Sequence, residues 1–204
     1  MNGAADHIVF VVDDDFRVRE ALQDLLSAAQ LNVVTFGSAA EYLRFPAPDV
    51  PGCLILDLEL PDVHGLELQR QLAGEHHPPV VVVTGHGDIP SSVRALKEGA
   101  VDFLTKPFRE SDLLEAIRTA LERDRTARAA RATLALLRGR LAALTPRERQ
   151  VLPLVVSGYL NKQAAAALGI SEVTLQIHRG KIMRKMAARS LAELVRMAGT
   201  LGIP

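Results

Sequence analysis

IVFVVDDD, residues 8–15, is a five-residue apolar run closed by three acids. A run that short and that rich in β-branched side chains reads as a strand buried on both faces, and its charge is left at the carboxyl end. Three later runs repeat the plan: CLIL at 53–56 before Asp57, VVVVT at 80–84 ending in Thr84, and VDFL at 101–104 with Lys106 just past it. Strands alternating with helical patterns make a parallel sheet, and ligands of such sheets bind outside the carboxyl ends of the strands. Asp13, Asp14, Asp57, Thr84 and Lys106 are therefore expected in one crevice. Crowded carboxylates repel unless an opposite charge offsets them. Oxygen ligands suit Mg²⁺, which takes one or two protein carboxylates and leaves room for water and phosphate oxygens. The pattern points to phosphate chemistry at an aspartate, although an aspartate at a strand end is also a common turn residue.

The 204 residues allow one or two domains. Strands are expected at about 7–12, 33–36, 53–56, 80–84 and 101–104. Between them lie helical spacings: Val18, Ala21, Leu22, Leu25 and Leu26; Leu66, Leu68 and Leu72; Val93, Leu96 and Lys97. Ser38-Ala-Ala-Glu41 has the spacing of a capping box. Five β-α repeats in the first 120 or so residues predict a doubly wound α/β domain.

A helix is expected from near Ser111, running roughly 25 residues with no strong breaker before Gly139. Its Ala- and Arg-rich later part reads as a spacer; Leu134, Leu137 and Leu141 would suit a short coiled coil, and a solvated helix fits as well. From Leu144 the pattern turns to short helices. Thr145-Pro-Arg-Glu148 is a capping box with proline at the first helical position, and Pro153 should kink the helix that follows. A second helix follows Asn161 and stops at Gly169, a third runs from after Ser171 through Lys185, and a fourth occupies about 190–199. Gly169-Ile-Ser171 is the tight turn of a helix-turn-helix. The expected partition is 1–121, a linker at 122–142, and a small all-α domain at 143–204.

The net charge of zero conceals a split. Residues 1–120 hold 9 Lys+Arg and 19 Asp+Glu, a balance of −10, whereas residues 121–204 hold 15 and 5, a balance of +10. A basic C-terminal segment suits nucleic acid, and both segments could equally be solvated surfaces. The single cysteine, Cys53, excludes an internal disulfide and fits a small buried hydrophobe in a reducing compartment. The start of the chain lacks the basic n-region of a secretory signal and its apolar run is too short for a bilayer, so a cytoplasmic protein without a membrane partner is expected.

VVDDD, DLELP, TGHGD and KPF, at these intervals, resemble the receiver domain of two-component response regulators. LTPRERQVL, NKQAAAALGIS and TLQIHRGKIMRKM resemble the LuxR-type DNA-binding domain, and the pair together is similar to the FixJ subgroup of the NarL/LuxR class. The resemblance implies that Asp57 accepts a phosphoryl group from a sensor histidine kinase. It also implies that Asp13 and Asp14 hold Mg²⁺ with Asp57, helped by the backbone carbonyl of Glu59, and that Thr84 and Lys106 bind the transferred phosphoryl. Phe103 matches an aromatic that turns inward in the switch, although a core aromatic explains it too. Lys106–Pro107 matches a cis bond. A homodimer formed on phosphorylation, promoter DNA and RNA polymerase are the further partners implied, in a transcription regulator that is not an enzyme beyond slow self-dephosphorylation.

On a helical wheel Leu175, Arg179, Ile182 and Met186 share one side, and Val173, Gln176, Ile177, Gly180, Lys181 and Arg184 face away. The outward set is the expected major-groove surface, with Gln176 suited to adenine edges or phosphates, Ile177 to a thymine methyl, Lys181 and Arg184 mainly to phosphate, and Lys162 and Arg179 adding phosphate contacts. Gly180 inside a helix costs roughly 0.5–1 kcal/mol relative to alanine, which close approach to DNA would justify. His178, near the core edge, reads as structural, and His86 is given no role. The competing class is a phosphatase with an aspartyl-phosphate intermediate, of the haloacid-dehalogenase kind. Its paired acids normally follow the first strand as one D-x-D motif, whereas Asp57 follows the third.

Overall fold

The computed structural model describes residues 7–46, 48–72, 77–85 and 89–204, with the backbone alone at 89–92. His86 of the sequence reading lies outside the described residues. Tertiary contacts divide the chain into two units, Met1–Arg128 and Ala129–Pro204.

The first unit is built on five parallel strands: β1 (Ile8–Val12), β2 (Val33–Phe36), β3 (Gly52–Leu56), β4 (Val80–Thr84) and β5 (Asp102–Thr105). They lie in the order β2-β1-β3-β4-β5, so the strand order reverses beside β1. Register pairs Val12 with both Phe36 and Leu56, which sets the carboxyl ends of β1, β2 and β3 level. The helices α1 (Phe16–Ala28), α2 (Ala39–Arg44), α3 (Gly65–Leu72), α4 (Ile89–Lys97) and α5 (Glu110–Ala142) alternate with the strands.

Two-residue alternation along each strand divides the core. Phe10, Val12, Leu54, Leu56, Val80 and Val82 face one cluster, shared with Tyr42 of α2, Leu66, Leu68 and Leu72 of α3, and Ala95 of α4. Val9, Val11, Cys53, Ile55, Val81 and Val83 face the other, shared with Leu22 and Leu26 of α1 and Leu113, Ala116, Ile117 and Ala120 of α5. Burial of both sheet faces explains why these strands read as unbroken apolar runs. Each fully buried aliphatic side chain contributes roughly 1.5–3 kcal/mol, which makes the sheet a stiff platform. Burial also pushes the Cys53 thiol well above its usual range, as expected of an inert core cysteine.

Two helix ends differ from the sequence reading. Ser38 caps α2 by accepting the Glu41 N–H at 3.2 Å, but the Glu41 carboxylate takes the N–H of Gly37, not that of Ser38. Asp62, from the loop after β3, also caps α2 by accepting the N–H groups of Ala39 and Ala40. The last helix of the sheet unit does not stop at Gly139: α5 has 33 residues and continues to Ala142. A Cβ at Gly139 would meet nothing within 4 Å, and one glycine costs a helix only about 1 kcal/mol. Within the first unit α5 is tied to the sheet by Asp124, which is buried, accepts the Gly52 N–H at 2.9 Å and pairs with Arg128 at 2.7 Å; Arg128 also pairs with Asp49.

The second unit contains the end of α5 followed by α6 (Pro146–Val156), α7 (Asn161–Leu168), α8 (Glu172–Met186) and α9 (Leu191–Thr200). The capping box of Thr145 and Glu148 opens α6, and Pro153 lies inside that helix. Gly169, with φ 63°, ends α7 in the left-handed region, and Ser171 caps α8 by accepting the Thr174 N–H at 3.1 Å. Val151, Leu152, Val155, Ala164, Leu175, Ile182, Met186 and Leu194 make its core, onto which Leu141 of α5 also packs. Among the described residues no helix is long and apolar enough to cross a membrane.

Candidate functional site

The strand ends bring together the acids read from the sequence. Asp13 and Asp57 begin the loops after β1 and β3, and their backbones are locked at the sheet edge: Asp13 N–H donates to Phe36 O at 3.2 Å, and Asp57 N–H to Val12 O at 2.9 Å. Asp13, Asp14 and Asp57 each offer a carboxylate oxygen, and the three lie within 4.8 Å of one another. Asp13 and Asp57 are buried, whereas Asp14 is exposed and opens the cluster to solvent.

Lys106, just past β5 and followed by a cis peptide to Pro107, sends its Nζ between the two buried acids, 2.6 Å from Asp13 Oδ2 and 2.7 Å from Asp57 Oδ2. The other Asp57 oxygen accepts the Glu59 N–H at 3.1 Å, and Asp13 Oδ1 accepts the Asp15 N–H at 2.9 Å. Burial pushes the Asp13 carboxyl above its ordinary range, an effect that the hydrogen bond and charge of Lys106 only partly offset. Burial pulls the Lys106 ammonium down, but its two carboxylate partners outweigh that and hold it above the ordinary lysine range. The ammonium therefore stays charged while the crowded acids compete for it.

Thr84 ends β4 and is fully buried, and its carbonyl accepts the Lys106 N–H at 2.8 Å, so the two residues are adjacent through the backbone. Phe103, on β5, is half-buried against the cluster that also holds Leu56 and Leu66. Glu59 is exposed, at the turn where it bridges to His64.

Two neighbours of the cluster escaped the sequence reading. Gly65 opens α3 against the backbone of Asp57: a Cβ there would lie 2.4 Å from Asp57 O and 2.8 Å from Leu58 Cα. The available signal was a glycine directly before a helical spacing, which is ambiguous without the fold. Arg19, on α1, donates from one nitrogen to the carbonyls of both Asp13 and Asp14, at 2.7 and 2.9 Å. Nothing in a linear sequence marks that contact.

The donor set suits a hard cation. Three clustered carboxylates face one ammonium, which leaves formal negative charge for a divalent ion to offset. Oxygen-only ligands with one open, exposed member fit Mg²⁺ rather than a softer metal.

In the second unit the wheel reading separates as expected. Leu175, Ile182 and Met186 are buried, and Val173, Gln176, Ile177, Gly180, Lys181 and Arg184 are all exposed along one face of α8. Val173 is 67% exposed and Ile177 53%, large values for apolar side chains on a helix with a good core of its own. Lys162 is exposed at the start of α7, and Arg179 is half-buried, donating to Asn161 Oδ1 at 3.2 Å. His178 is half-buried, with its Nδ1 enclosed and unpartnered. The helix-turn-helix is braced from α6: Arg147 donates to Leu168 O at 2.6 Å, and Lys185 pairs with buried Glu148 at 2.7 Å. The Lys185 hydrogen bond, joined by the Thr145 N–H, holds the Glu148 carboxyl down at about 2.

Comparison with known proteins covers both units. Residues 9–118 match the response regulator receiver domain, and residues 142–198 match the bacterial regulatory proteins of the luxR family. Nodulation protein W of Bradyrhizobium diazoefficiens is 53% identical over 197 residues, covering 96% of this chain and 87% of that protein. The transcriptional regulatory protein FixJ of Rhizobium meliloti is 45% identical over 195 residues, covering 95% of each. Among solved structures, the response regulator StyR superposes with a TM-score of 0.85 at 47% identity, covering 96% of this chain and 99% of that one. Full-length FixJ from B. japonicum gives 0.58 at 37% identity, covering 98% and 100%. These matches leave the phosphatase alternative without support.

Proposed function

This chain belongs to the FixJ-like response regulators, which join a receiver domain to a LuxR-type DNA-binding domain, and we propose that Asp57 is its phosphoacceptor and the exposed face of α8 its DNA-reading surface. The observation that carries the first half is the single ammonium of Lys106 shared by Asp13 and Asp57 at the level ends of β1 and β3.

A carboxylate is a weak nucleophile, so acceptance of a phosphoryl group rests on position and on charge neutralisation. Asp57 is held for attack by its own backbone bond to Val12 and by the Glu59 N–H on its second oxygen. As its oxygen bonds to phosphorus, the bond from phosphorus to a histidine nitrogen of the sensor kinase breaks. Asp13, Asp14 and Asp57, with the Glu59 carbonyl, hold Mg²⁺, which supplies neutralisation of the phosphoryl oxygens when bound. Lys106 then exchanges carboxylate partners for a phosphoryl oxygen, and Thr84 donates its hydroxyl to another. Contacts that exist only after transfer can shift a conformational equilibrium, and contacts common to both states cannot. Phe103, half-buried beside this site, follows Thr84 inward. The response is homodimerisation and tighter binding to double-stranded promoter DNA, with RNA polymerase as the downstream partner. Asp57 loses its phosphoryl group slowly, and the protein works in the cytoplasm. The working partition is 1–121, 122–142 and 143–204.

On DNA, Gln176 and Ile177 face base edges, Val173 and Gly180 border them, and Lys181, Arg184, Lys162 and Arg179 grip phosphates. One experiment tests both halves. Purified protein is treated with a small acyl phosphate and Mg²⁺, its intact mass is measured, and its DNA affinity is titrated against salt. The wild type should gain one phosphoryl group and bind promoter DNA more tightly, and Asp57→Asn should do neither. A phosphoryl group on any other residue, or equal DNA affinity of the two proteins under these conditions, would refute the proposal.

A further inference from the structure

Asp13 and Asp14 are consecutive, and in an extended chain consecutive side chains point to opposite sides. Their carboxylate oxygens nevertheless lie within 4.8 Å of one another and of Asp57, so the backbone must turn as it leaves β1. Val12 is still paired in the sheet, and Asp15 already caps α1 by accepting the Arg17 N–H at 2.8 Å. The turn is thus confined to two residues. Nη1 of Arg19 spans it, donating to Asp13 O at 2.7 Å and to Asp14 O at 2.9 Å. The guanidinium is itself placed by its helix and by the ring of Phe16, whose centroid lies 5.8 Å from Cζ. A planar, permanently charged donor group loses little freedom on making such bonds, which is why arginine and not lysine suits the position.

We propose that Arg19 is a positioning residue for Mg²⁺: by clamping two successive carbonyls it holds the Asp13–Asp14 turn in the shape that converges their carboxylates. Its hydrogen bonds go to the two backbone carbonyls and not to the clustered carboxylates. The inference rests on the reading of the acid cluster as a Mg²⁺ site.

Loss of such a clamp and loss of a nearby positive charge act on Mg²⁺ affinity with opposite signs. Deleting a positive charge close to a cation site should strengthen Mg²⁺ binding by Coulomb's law. Deleting a clamp should weaken it, by about ten- to a hundredfold, the range seen when groups that orient metal ligands are removed.

The test is calorimetric titration of the full-length protein with Mg²⁺ alone, beside a melting curve of each variant. Arg19→Ala is expected to raise the Mg²⁺ dissociation constant at least about tenfold. Arg19→Lys, which keeps the charge but not the rigid planar placement of the donating nitrogen, should fall between it and the wild type. Arg17→Ala, an exposed neighbour on the same helix, should leave the constant unchanged or lower it. Should Arg19→Ala fail to fold, Arg19→Lys carries the test, with weaker Mg²⁺ binding still required. A folded Arg19 variant that binds Mg²⁺ as tightly as the wild type, or more tightly, overturns the clamp while leaving the acid cluster intact. A wild type that does not bind Mg²⁺ overturns the reading of the cluster itself, and the clamp with it.

Discussion

The acid cluster and the exposed face of α8 are built on opposite principles. The cluster gathers residues 13, 14, 57, 84 and 106 from the carboxyl ends of four strands, β1, β3, β4 and β5, buries most of them and commits its one ammonium to two carboxylates. The α8 face is a single stretch, residues 173–184, whose side chains stand exposed on a helix secured from behind. A site assembled from distant pieces depends on backbone position, so small displacements should disable it as a whole. A site displayed on one helix should lose affinity residue by residue.

The largest effect expected from this contrast is at Gly65. Gly65→Ala places a methyl group 2.4 Å from the Asp57 carbonyl oxygen, a clash with backbone that side-chain rotation cannot relieve. Overpacking of this kind costs about 1–3 kcal/mol; the melting temperature should fall by several degrees and phosphoryl acceptance should be lost. A variant that melts and accepts phosphate like the wild type would break the claim that the cluster fails as a unit.

On the helix side the effects should be graded. Lys181→Ala and Arg184→Ala should each weaken binding to all DNA sequences alike and reduce the salt slope by about 1. Gln176→Ala or Ile177→Ala should instead relax sequence preference, by about 1–3 kcal/mol for a good base contact. Competition binding against mutated promoter sequences, repeated over a salt series, separates the two behaviours. If the lysine or arginine variant altered preference instead, the division of labour along α8 would be wrong.

A smaller effect tests the brace behind that helix. Glu148 titrates at about 2 in the folded protein against an ordinary 4.5, because Lys185 and the Thr145 N–H stabilise its charged form. A depressed carboxylate contributes stability in full above about pH 4.5 and loses it as pH falls towards 2. Glu148→Gln should therefore melt below the wild type at pH 6, by the equivalent of about 1 kcal/mol for a weakened cap and ion pair, and the difference should close on acidification. A gap that persisted unchanged at pH 2 would mean that the charge plays no part.

The smallest effect has a sign that distinguishes the face from an ordinary surface. A Cβ at Gly180 would meet nothing within 4 Å, so Gly180→Ala should stabilise the helix by roughly 0.5–1 kcal/mol. It should still weaken DNA binding if DNA approaches closely there. Gly139, equally open inside α5, provides the control in which stability rises and DNA affinity holds. Equal behaviour of the two variants in DNA binding would remove Gly180 from the reading surface.

Much of the fold was legible because its signals are local. The strand limits expected at 33–36 and 80–84 match β2 and β4, and the others shift by a residue: β5 occupies 102–105, not 101–104. The Gly169-Ile-Ser171 turn and the outward stripe of α8 were legible for the same reason, since helical periodicity and turn chemistry are written in neighbouring residues. Gly139 misled, because a glycine in open space can end a helix or merely weaken it. The acids were legible as a set, because a parallel sheet delivers its strand ends to one edge.

The sequence by itself determined that apolar runs of four or five residues would pair into a sheet with charge at its carboxyl edge, and that a basic helical segment would follow. Which nitrogen meets which oxygen was decided only in three dimensions. Lys106 divided between Asp13 and Asp57, Arg19 spanning two carbonyls, Gly65 against Asp57 and Lys185 on Glu148 are pairings across chain loops or adjacent elements. The physical reason is one of range: backbone preference and hydrophobic period act over a few neighbouring residues, whereas a hydrogen bond or a steric contact depends on ångström-scale placement that packing alone supplies.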